Sequence, residues 1–253
     1  MNNEVKSAAR VLDLLELFSV EQGPLSVTEV ARKLDLPKSS MQGLLTTLAG
    51  RGYLEREGSA YVLPPELRGV GYVGGLRARL VSRAEPILLR MARESKESAF
   101  IGVLTDSGIQ YLAKALSPQE VRYDASLLEV RPVYCTSIGL AILSHLDADA
   151  SDRILNRSTL EKITPKTITS RNAINRTLEL SRRSGFAEVR DANVLGASGI
   201  AAPIFGVRGE VLGALSIGAP TSRYERARNR MAEIVTSEAR ALSKLFAARA
   251  ESE

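Results

Sequence analysis

Residues 26–61 read SVTEVARKLDLPKSSMQGLLTTLAGRGYLEREGSAY, and this stretch decides how the N-terminal part of the chain folds. Ser26 and Glu29 have the S-x-x-E spacing of a capping box, which predicts a helix that starts at Ser26. Pro37 suits the first position of a second helix. Gly52 suits the residue just beyond the end of that helix, where a left-handed backbone is common.

The second helix of this stretch is amphipathic. Its apolar residues fall at helical spacing on one side, at Met41, Leu44, Leu45 and Leu48. At about 100° per residue the opposite side presents small and amide side chains, at Ser39, Gln42, Gly43 and Thr46. Alternating residues on either side of Gly58-Ser59 then predict a hairpin. The whole is typical of a winged helix-turn-helix, with the helix-turn-helix at about 26–45 and the wing at about 53–63.

A helix that lies in a DNA major groove uses this kind of outer face. We interpret Gln42 and Thr46 as contacts to base edges. The predicted phosphate contacts are Lys38, Ser39, Ser40 and, from the wing, Arg56. The alternative is an ordinary helical bundle with a solvated polar face. The capping box, the short turn and the hairpin that follows at once favour the DNA interpretation.

Composition limits the class of protein. A length of 253 residues predicts about two domains. No apolar run approaches the roughly 18 residues that span a bilayer, and no secretory signal opens the chain, so we expect a cytoplasmic protein without a membrane partner. Cys135 and His145 are the only cysteine and histidine. A disulfide or a zinc site is therefore not expected, and no metal or other cofactor is predicted.

Charge by itself does not identify a DNA-binding protein here. The net charge is +5, yet residues 1–65 hold seven Lys and Arg against eight Asp and Glu. Because phosphate neutralisation dominates affinity for DNA, we expect two or more such domains to act together.

The remaining segments predict helices and strand hairpins. An N-terminal helix over 5–18 would bury Ala8, Val11, Leu12, Leu15 and Phe18, and a glycine-weakened helix would connect the domains. A second capping box, Ser82 with Glu85, would open a helix that ends near Ser95. Strands are predicted at 98–105, 109–115, 200–207 and 210–217, with a possible one at 120–127, and helices at 136–146, 151–155, 170–184 and 222–249. The last helix would bury Leu245 among other residues. This order predicts an α+β fold whose antiparallel sheet carries helices mostly on one face.

The order of these parts resembles the isocitrate-lyase-regulator (IclR) family of transcriptional regulators over almost the whole chain. The resemblance is carried by SVTEVARKLDLPKSSMQGLLTTLAGRGYLER, RPVYCTSIGLAIL, GIAAPIF and GALSIGAP. It implies a winged helix-turn-helix DNA-binding domain over 1–65, a linker helix over 66–81 and a GAF-like effector-binding domain over 82–253. It further implies homodimers or dimers of dimers that bind palindromic double-stranded DNA, with affinity modulated by a small metabolite, an organic acid in our interpretation.

Carried over by position, the effector-binding residues are Thr136, Ser137, Ile138, Asp191, Gly199 and Ser216. The residues themselves support part of this set, because a helix start at Thr136 favours an anion such as a carboxylate. The alternative is that residues 198–202 form only a turn that enters a buried strand.

Two other functions remain open. An enzyme could use Cys135 as its nucleophile, but ten residues of helix place His145 about 15 Å away. That distance is too long for a nucleophile and its base, so no catalytic residue is predicted. A ligand-independent DNA-binding protein would keep the N-terminal reader and give residues 82–253 no ligand.

Overall fold

The computed structural model describes residues 5–20, 23–64, 76–127 and 129–247. The chain folds into two compact units, Met1–Ser82 and Arg83–Glu253. The first unit contains, in chain order, α1 (Lys6–Val20), β1 (Leu25–Ser26), α2 (Val27–Lys33), α3 (Lys38–Gly50), β2 (Glu55–Glu57) and β3 (Ala60–Val62). Its antiparallel sheet has the order β1-β3-β2. The predicted winged helix-turn-helix is confirmed, and the short strand β1 was not predicted.

Local signals account for the ends of α2 and α3. The backbone N–H of Ser26 donates to Glu29 Oε2 at 2.9 Å, and the N–H of Glu29 donates to Ser26 Oγ at 3.3 Å, which completes the predicted capping box. Pro37 is the residue before the first turn of α3 rather than the first helical residue. Gly52 has a φ of 77°, the left-handed backbone expected just beyond the helix end.

The core of the first unit lies between the three helices and the inner strand of the wing. Met41, Leu45 and Leu48 are buried as predicted. The predicted inner face of α1 was wrong in part, because Ala8 is exposed, Leu12 is 55% exposed and Leu14 is fully buried. Apolar residues occur on most sides of α1, so packing against the other helices, rather than spacing, selects the buried side.

The predicted linker helix falls mainly on residues 66–75, which lie outside the described residues. From Leu76 the chain forms α4 (Leu76–Ser95), β4 (Ser98–Thr105), β5 (Gly108–Ala115), β6 (Val130–Arg131), α5 (Ser137–Leu143), α6 (Ala148–Arg157), α7 (Arg171–Ser184), β7 (Ala187–Arg190), β8 (Ala197–Phe205), β9 (Val211–Pro220) and α8 (Thr221–Ala247). The sheet order is β6-β5-β4-β9-β8-β7, and each neighbouring pair is antiparallel.

Helices cover both faces of this sheet, so the prediction of helices mostly on one face was wrong. Helix α5 shares a buried apolar cluster with Phe100, Ala201 and Ala214. Helix α8 packs on β8 and β9, where strand alternation turns Ile200 and Leu215 to the opposite face. Both strands are buried along most of their length. Their nearly unbroken apolar sequence is the pattern of strands covered on both sides.

Three other predictions for the chain beyond Leu76 were wrong. Ser82 lies inside α4, because the fully buried Leu80 and Ala84 continue one packed helix across it. Residues 120–127 form no strand. They cross the sheet instead, so that a Cβ on Gly218 would lie 2.5 Å from Tyr123 Cδ1. Leu245 is 50% exposed, and Phe246 takes its place in the core.

Replacing Ser26, the N-cap of α2, tests how much this cap stabilises the helix-turn-helix. Ser26→Ala removes the Oγ that accepts from the Glu29 N–H and donates to Glu29 Oε2, while the backbone N–H bond to Glu29 remains, and should cost about 1 kcal/mol locally. We expect amide hydrogen exchange in residues 27–33 to become roughly fivefold faster. The matched control is Ser59→Ala, at an exposed turn position of the wing. Equal exchange rates in the two variants would contradict a stabilising role for the cap.

Candidate DNA-reading surface and ligand pocket

Helix α3 presents a polar face to solvent. Its inner residues are buried in the core, while Lys38, Ser39, Gln42 and Thr46 are exposed and Ser40 is half-buried. A Cβ added to Gly43 would meet nothing within 4 Å, so the middle of this face is open. The structure therefore brings all the predicted α3 contacts to one accessible surface.

Hydrogen bonds within the first unit hold two of these predicted contacts. Gln42 Nε2 lies 3.3 Å from the hydroxyl of Tyr61 and 3.4 Å from Thr46 Oγ1. Thr46 Oγ1 donates to the backbone oxygen of Gln42 at 2.8 Å. In the wing, Arg56 Nε donates to the carbonyl of Gly58 at 3.0 Å, so the guanidinium braces the turn.

The second unit contains a pocket between α5, the segment that carries Tyr123, and strands β4, β8 and β9. The pocket is small and opens to solvent. One wall is aromatic, formed by Phe100, Tyr111 and Tyr123. The ring centroid of Phe100 lies 5.3 Å from that of Tyr111 and 5.7 Å from that of Tyr123. Burial raises the pKa of both tyrosines, so both phenols stay protonated and can donate hydrogen bonds at neutral pH.

A second part of the lining is polar, and the described residues place no charged side chain in it. It contains Thr136, Ser137, Asn193, Ser198 and Ser216. Thr136 Oγ1 donates to the carbonyl of Pro132 at 2.9 Å and accepts from the Gly139 N–H at 3.2 Å, so it is occupied by the helix start. Within the described part of the chain, the hydroxyls of Ser137 and Ser216 have no hydrogen-bond partner. These two hydroxyls are therefore free to bind a ligand.

Glycines make room for this arrangement. A Cβ on Gly199 would lie 3.1 Å from Ser137 Oγ, which is closer than ordinary contact. A Cβ on Gly218 would collide with the ring of Tyr123. Small residues at these two paired positions of β8 and β9 allow α5 and Tyr123 to approach the sheet.

The predicted effector residues divide into two groups. Thr136, Ser137, Gly199 and Ser216 line the pocket. Ile138 does not line it, because its side chain is fully buried against the sheet near Gly102. Asp191 does not line it either. Its carboxylate accepts from the Gly196 N–H at 2.7 Å and from Thr221 Oγ1 at 2.8 Å, and so closes the connection between β7 and β8.

Sequence reasoning placed Asn193 and Ser198 among the polar groups near the small residues of the pocket, but it missed the aromatic wall. The rings come from three separate segments, and periodicity within a segment does not show that they meet. The only available signal was the small residue Gly218 in a strand interior, which often marks a close approach of another group.

The residues considered for catalysis are not arranged as a nucleophile and base. Burial raises the pKa of the Cys135 thiol to about 12, and its Sγ lies 3.7 Å from Asn193 Oδ1. Nδ1 of His145 lies 2.9 Å from Ser144 Oγ and 3.2 Å from the carbonyl of Ala141. Burial lowers the pKa of His145.

Among the described residues, no group of three or more His, Cys, Asp or Glu side chains is placed to hold a metal ion. Over the same ranges, every helix is too short or too polar to cross a bilayer.

Comparisons with known proteins match both units. A family model described as bacterial transcriptional regulator IclR C-terminal covers residues 76–244, and the IclR helix-turn-helix domain model covers residues 7–58. The chain is 32% identical to the HTH-type transcriptional regulator BhcR of Paracoccus denitrificans, over 94% of this chain and 86% of that protein.

Solved structures of other proteins have a similar fold. An IclR homologue from Microbacterium hydrocarbonoxydans, crystallised in complex with 4-hydroxybenzoate, has a TM-score of 0.67 and 26% identity over 96% of this chain and 99% of its own. A protein from Silicibacter sp. TM1040, described as an IclR transcriptional regulator, has the same fold. Its TM-score is 0.73 at 24% identity, with 95% of this chain and 96% of that chain covered.

The state of Cys135 can be tested directly. Because burial disfavours the thiolate and raises its pKa to about 12, we expect iodoacetamide to leave the folded protein unlabelled at pH 7.5. The same reagent should label Cys135 completely in urea, which serves as the control, and mass spectrometry measures both. Rapid stoichiometric labelling of the folded protein would show that the thiol is accessible and ionised.

Proposed function

Because the chain belongs to the IclR family of bacterial transcriptional regulators, we propose that it binds a palindromic operator as a homo-oligomer under the control of a small organic acid. As a member, it is a DNA-binding regulator with a C-terminal effector domain. The proposal concerns the form of the operator, the oligomeric state, the class of effector and the residues that make the contacts.

The exposed polar face of α3 is the observation that carries the DNA part of the proposal. We assign base-edge contacts to the exposed Gln42 and Thr46. We assign phosphate contacts to Lys38, Ser39 and Ser40 because they lie near the N-terminal end of the helix, where anions are favoured. Arg56 adds a cation from the wing. Residues 1–65 carry seven basic and eight acidic side chains, so one reader attracts DNA weakly. Two readers on a palindrome double the number of phosphate contacts.

The pocket supports a small acidic effector. Its free hydroxyls on Ser137 and Ser216 can bind carboxylate or hydroxyl oxygens, and its aromatic wall suits a planar or apolar body. Beside that wall the guanidinium of Arg131 lies 5.2 Å from the ring centroid of Tyr111, and its buried Nε has no hydrogen-bond partner among the described residues. The guanidinium of Arg131 also pairs with Glu129, whose Oε2 lies 3.1 Å from its Nη2, so Arg131 offers a hydrogen-bond donor beside the pocket more than a net positive charge. The 4-hydroxybenzoate bound to the Microbacterium homologue is a small organic acid.

We further propose that effector binding changes the spacing of paired readers through residues 66–81. Such coupling is typically about 1–3 kcal/mol and is reciprocal, so operator DNA must change effector affinity by the same factor. Catalysis forms no part of the proposed function, since Cys135 is held as a neutral, buried thiol.

Lys38 tests the DNA-reading surface. Lys38→Ala removes a cation from the start of α3, so affinity should fall by a similar factor for every duplex sequence. The slope of log K against log salt should fall by about one for each phosphate that the variant no longer neutralises. Fluorescence anisotropy at several salt concentrations measures both quantities. The matched control is Lys166→Ala, which removes the same charge from an exposed position of the second unit. If both variants bind with the salt dependence of the wild type, α3 is not the DNA contact.

Thermal stability tests the pocket and separates a ligand-responsive regulator from a ligand-independent DNA-binding protein. A true effector raises the melting temperature by mass action, and 4-hydroxybenzoate is the first probe, with uncharged 4-hydroxybenzamide as its neutral counterpart.

Ser216→Ala should weaken acid binding roughly fivefold, because one hydrogen bond is worth about 1 kcal/mol. Ser222→Ala, at an exposed position, should leave it unchanged. A panel of small organic acids that raises the melting temperature in no case would support ligand-independent binding.

A further inference from the structure

The side-chain amide of Gln42 is held before any DNA is bound. Its Nε2 lies 3.3 Å from the hydroxyl of Tyr61, in strand β3 of the wing, and 3.4 Å from Thr46 Oγ1, one turn later in α3. Tyr61 is 2% exposed and belongs to the core of the first unit. One partner of the amide is therefore fixed by the fold, although Gln42 itself is exposed.

The hydrogen bonds of Thr46 decide which end of the amide faces inward. The hydroxyl of Thr46 donates its single proton to the backbone oxygen of Gln42 at 2.8 Å. Thr46 Oγ1 can then only accept a hydrogen bond from a second group. The amide end of Gln42 beside it must carry hydrogens, so that end is Nε2. With Tyr61 Oη as the second acceptor, both hydrogens of Nε2 are used inside the protein.

This arrangement leaves only the amide oxygen for DNA. Among the described residues, Gln42 Oε1 accepts no hydrogen bond. A free glutamine recognises adenine with two bonds, one donated to N7 and one accepted from the N6 amino group. A glutamine whose Nε2 is occupied can make only the second. Exocyclic amino groups occur in the major groove on both adenine and cytosine, whereas guanine and thymine present acceptors there.

We propose that Tyr61 is a positioning residue that turns Gln42 into a reader of amino groups, so that one position in each operator half-site accepts adenine or cytosine and rejects guanine and thymine. The inference rests on the proposed function in that α3 enters the major groove. It assigns a base class to Gln42 and a role in specificity to a buried wing residue that does not itself touch DNA. Both contacts to Nε2 are long for hydrogen bonds, so removing one should be enough to release the amide.

The test is selection of bound sequences from a random duplex library by the full-length protein, followed by binding measurements on duplexes that differ at one position. Gln42→Ala identifies that position, because removing the amide should abolish the base preference there. Tyr61→Phe keeps the buried ring and removes the acceptor, so the freed amide should pair with both groups of adenine. We expect adenine to be preferred over cytosine by about threefold or more in this variant, against near equality in the wild type.

Tyr53→Phe is the matched control, because Tyr53 is 44% exposed in the same unit and should leave the preference unchanged. Should Tyr61→Phe fail to fold, as judged by its melting temperature, Thr46→Val removes the other acceptor. Because Thr46 is itself a proposed base contact, this variant is scored only at the position that Gln42→Ala identifies, which should shift toward adenine.

The outcomes separate the inference from the proposed function. If the wild type selects no sequence, sequence-specific reading itself fails. If it selects a site that Gln42→Ala leaves unchanged, the regulator stands and Gln42 is not its reader. Two results would overturn the role of Tyr61. One is a wild-type protein that already prefers adenine over cytosine at this position, and the other is a Tyr61→Phe or Thr46→Val variant whose preference there equals that of the wild type.

Discussion

The second unit depends on burying both faces of the β8–β9 pair. Side chains such as Ile200 and Leu215 point toward α8, and Ala201 and Ser216 point toward α5. The large apolar residues are concentrated on the α8 side, where burial stabilises the fold by about 25 cal/mol per Å² of apolar surface. The α5 side carries smaller residues, so a helix start and a small open pocket can fit beside the sheet.

Small residues on that side leave part of the space beside the sheet unfilled. Methyl groups at Gly199 and Gly218 would press on Ser137 and Tyr123. A filled core would be denser, because protein interiors ordinarily leave few voids larger than a water molecule. Here the looser packing opens a pocket in which the hydroxyls of Ser137 and Ser216 have no partners in the described residues. The same strands therefore hold the domain together on one face and line the pocket on the other.

The first unit divides its residues in a similar way. Met41 and Leu45 fill a modest core, and the polar side of α3 remains outside it. Gln42 differs from the other exposed residues of this side, because its amide hydrogen-bonds to the hydroxyl of the buried Tyr61. This hydrogen bond joins a core residue of the wing to an exposed side chain of α3, so the packing of the wing fixes the orientation of the Gln42 amide.

The local parts of this structure follow from local sequence. The S-x-x-E spacing at Ser26, the turn around Gly58 and the hairpin at Asp106-Ser107 depend on residues a few positions apart, and each formed where it was predicted. The same holds for the helix start at Thr136, whose hydroxyl caps the next turn. Each of these features satisfies its own backbone groups, so its sequence contains the whole reason for it.

Tertiary structure decided what depends on distant partners. It selected Leu14 over Leu12 as a core residue, extended α4 through Ser82, and laid Tyr123 across the sheet rather than in a strand. It also brought Phe100, Tyr111 and Tyr123 into one wall, and turned Asp191 away to hold a backbone connection. The physical reason is that burial depends on at least two elements. The side of a helix or strand that faces inward is set by the element that packs against it, and the periodicity of its own sequence does not contain that information.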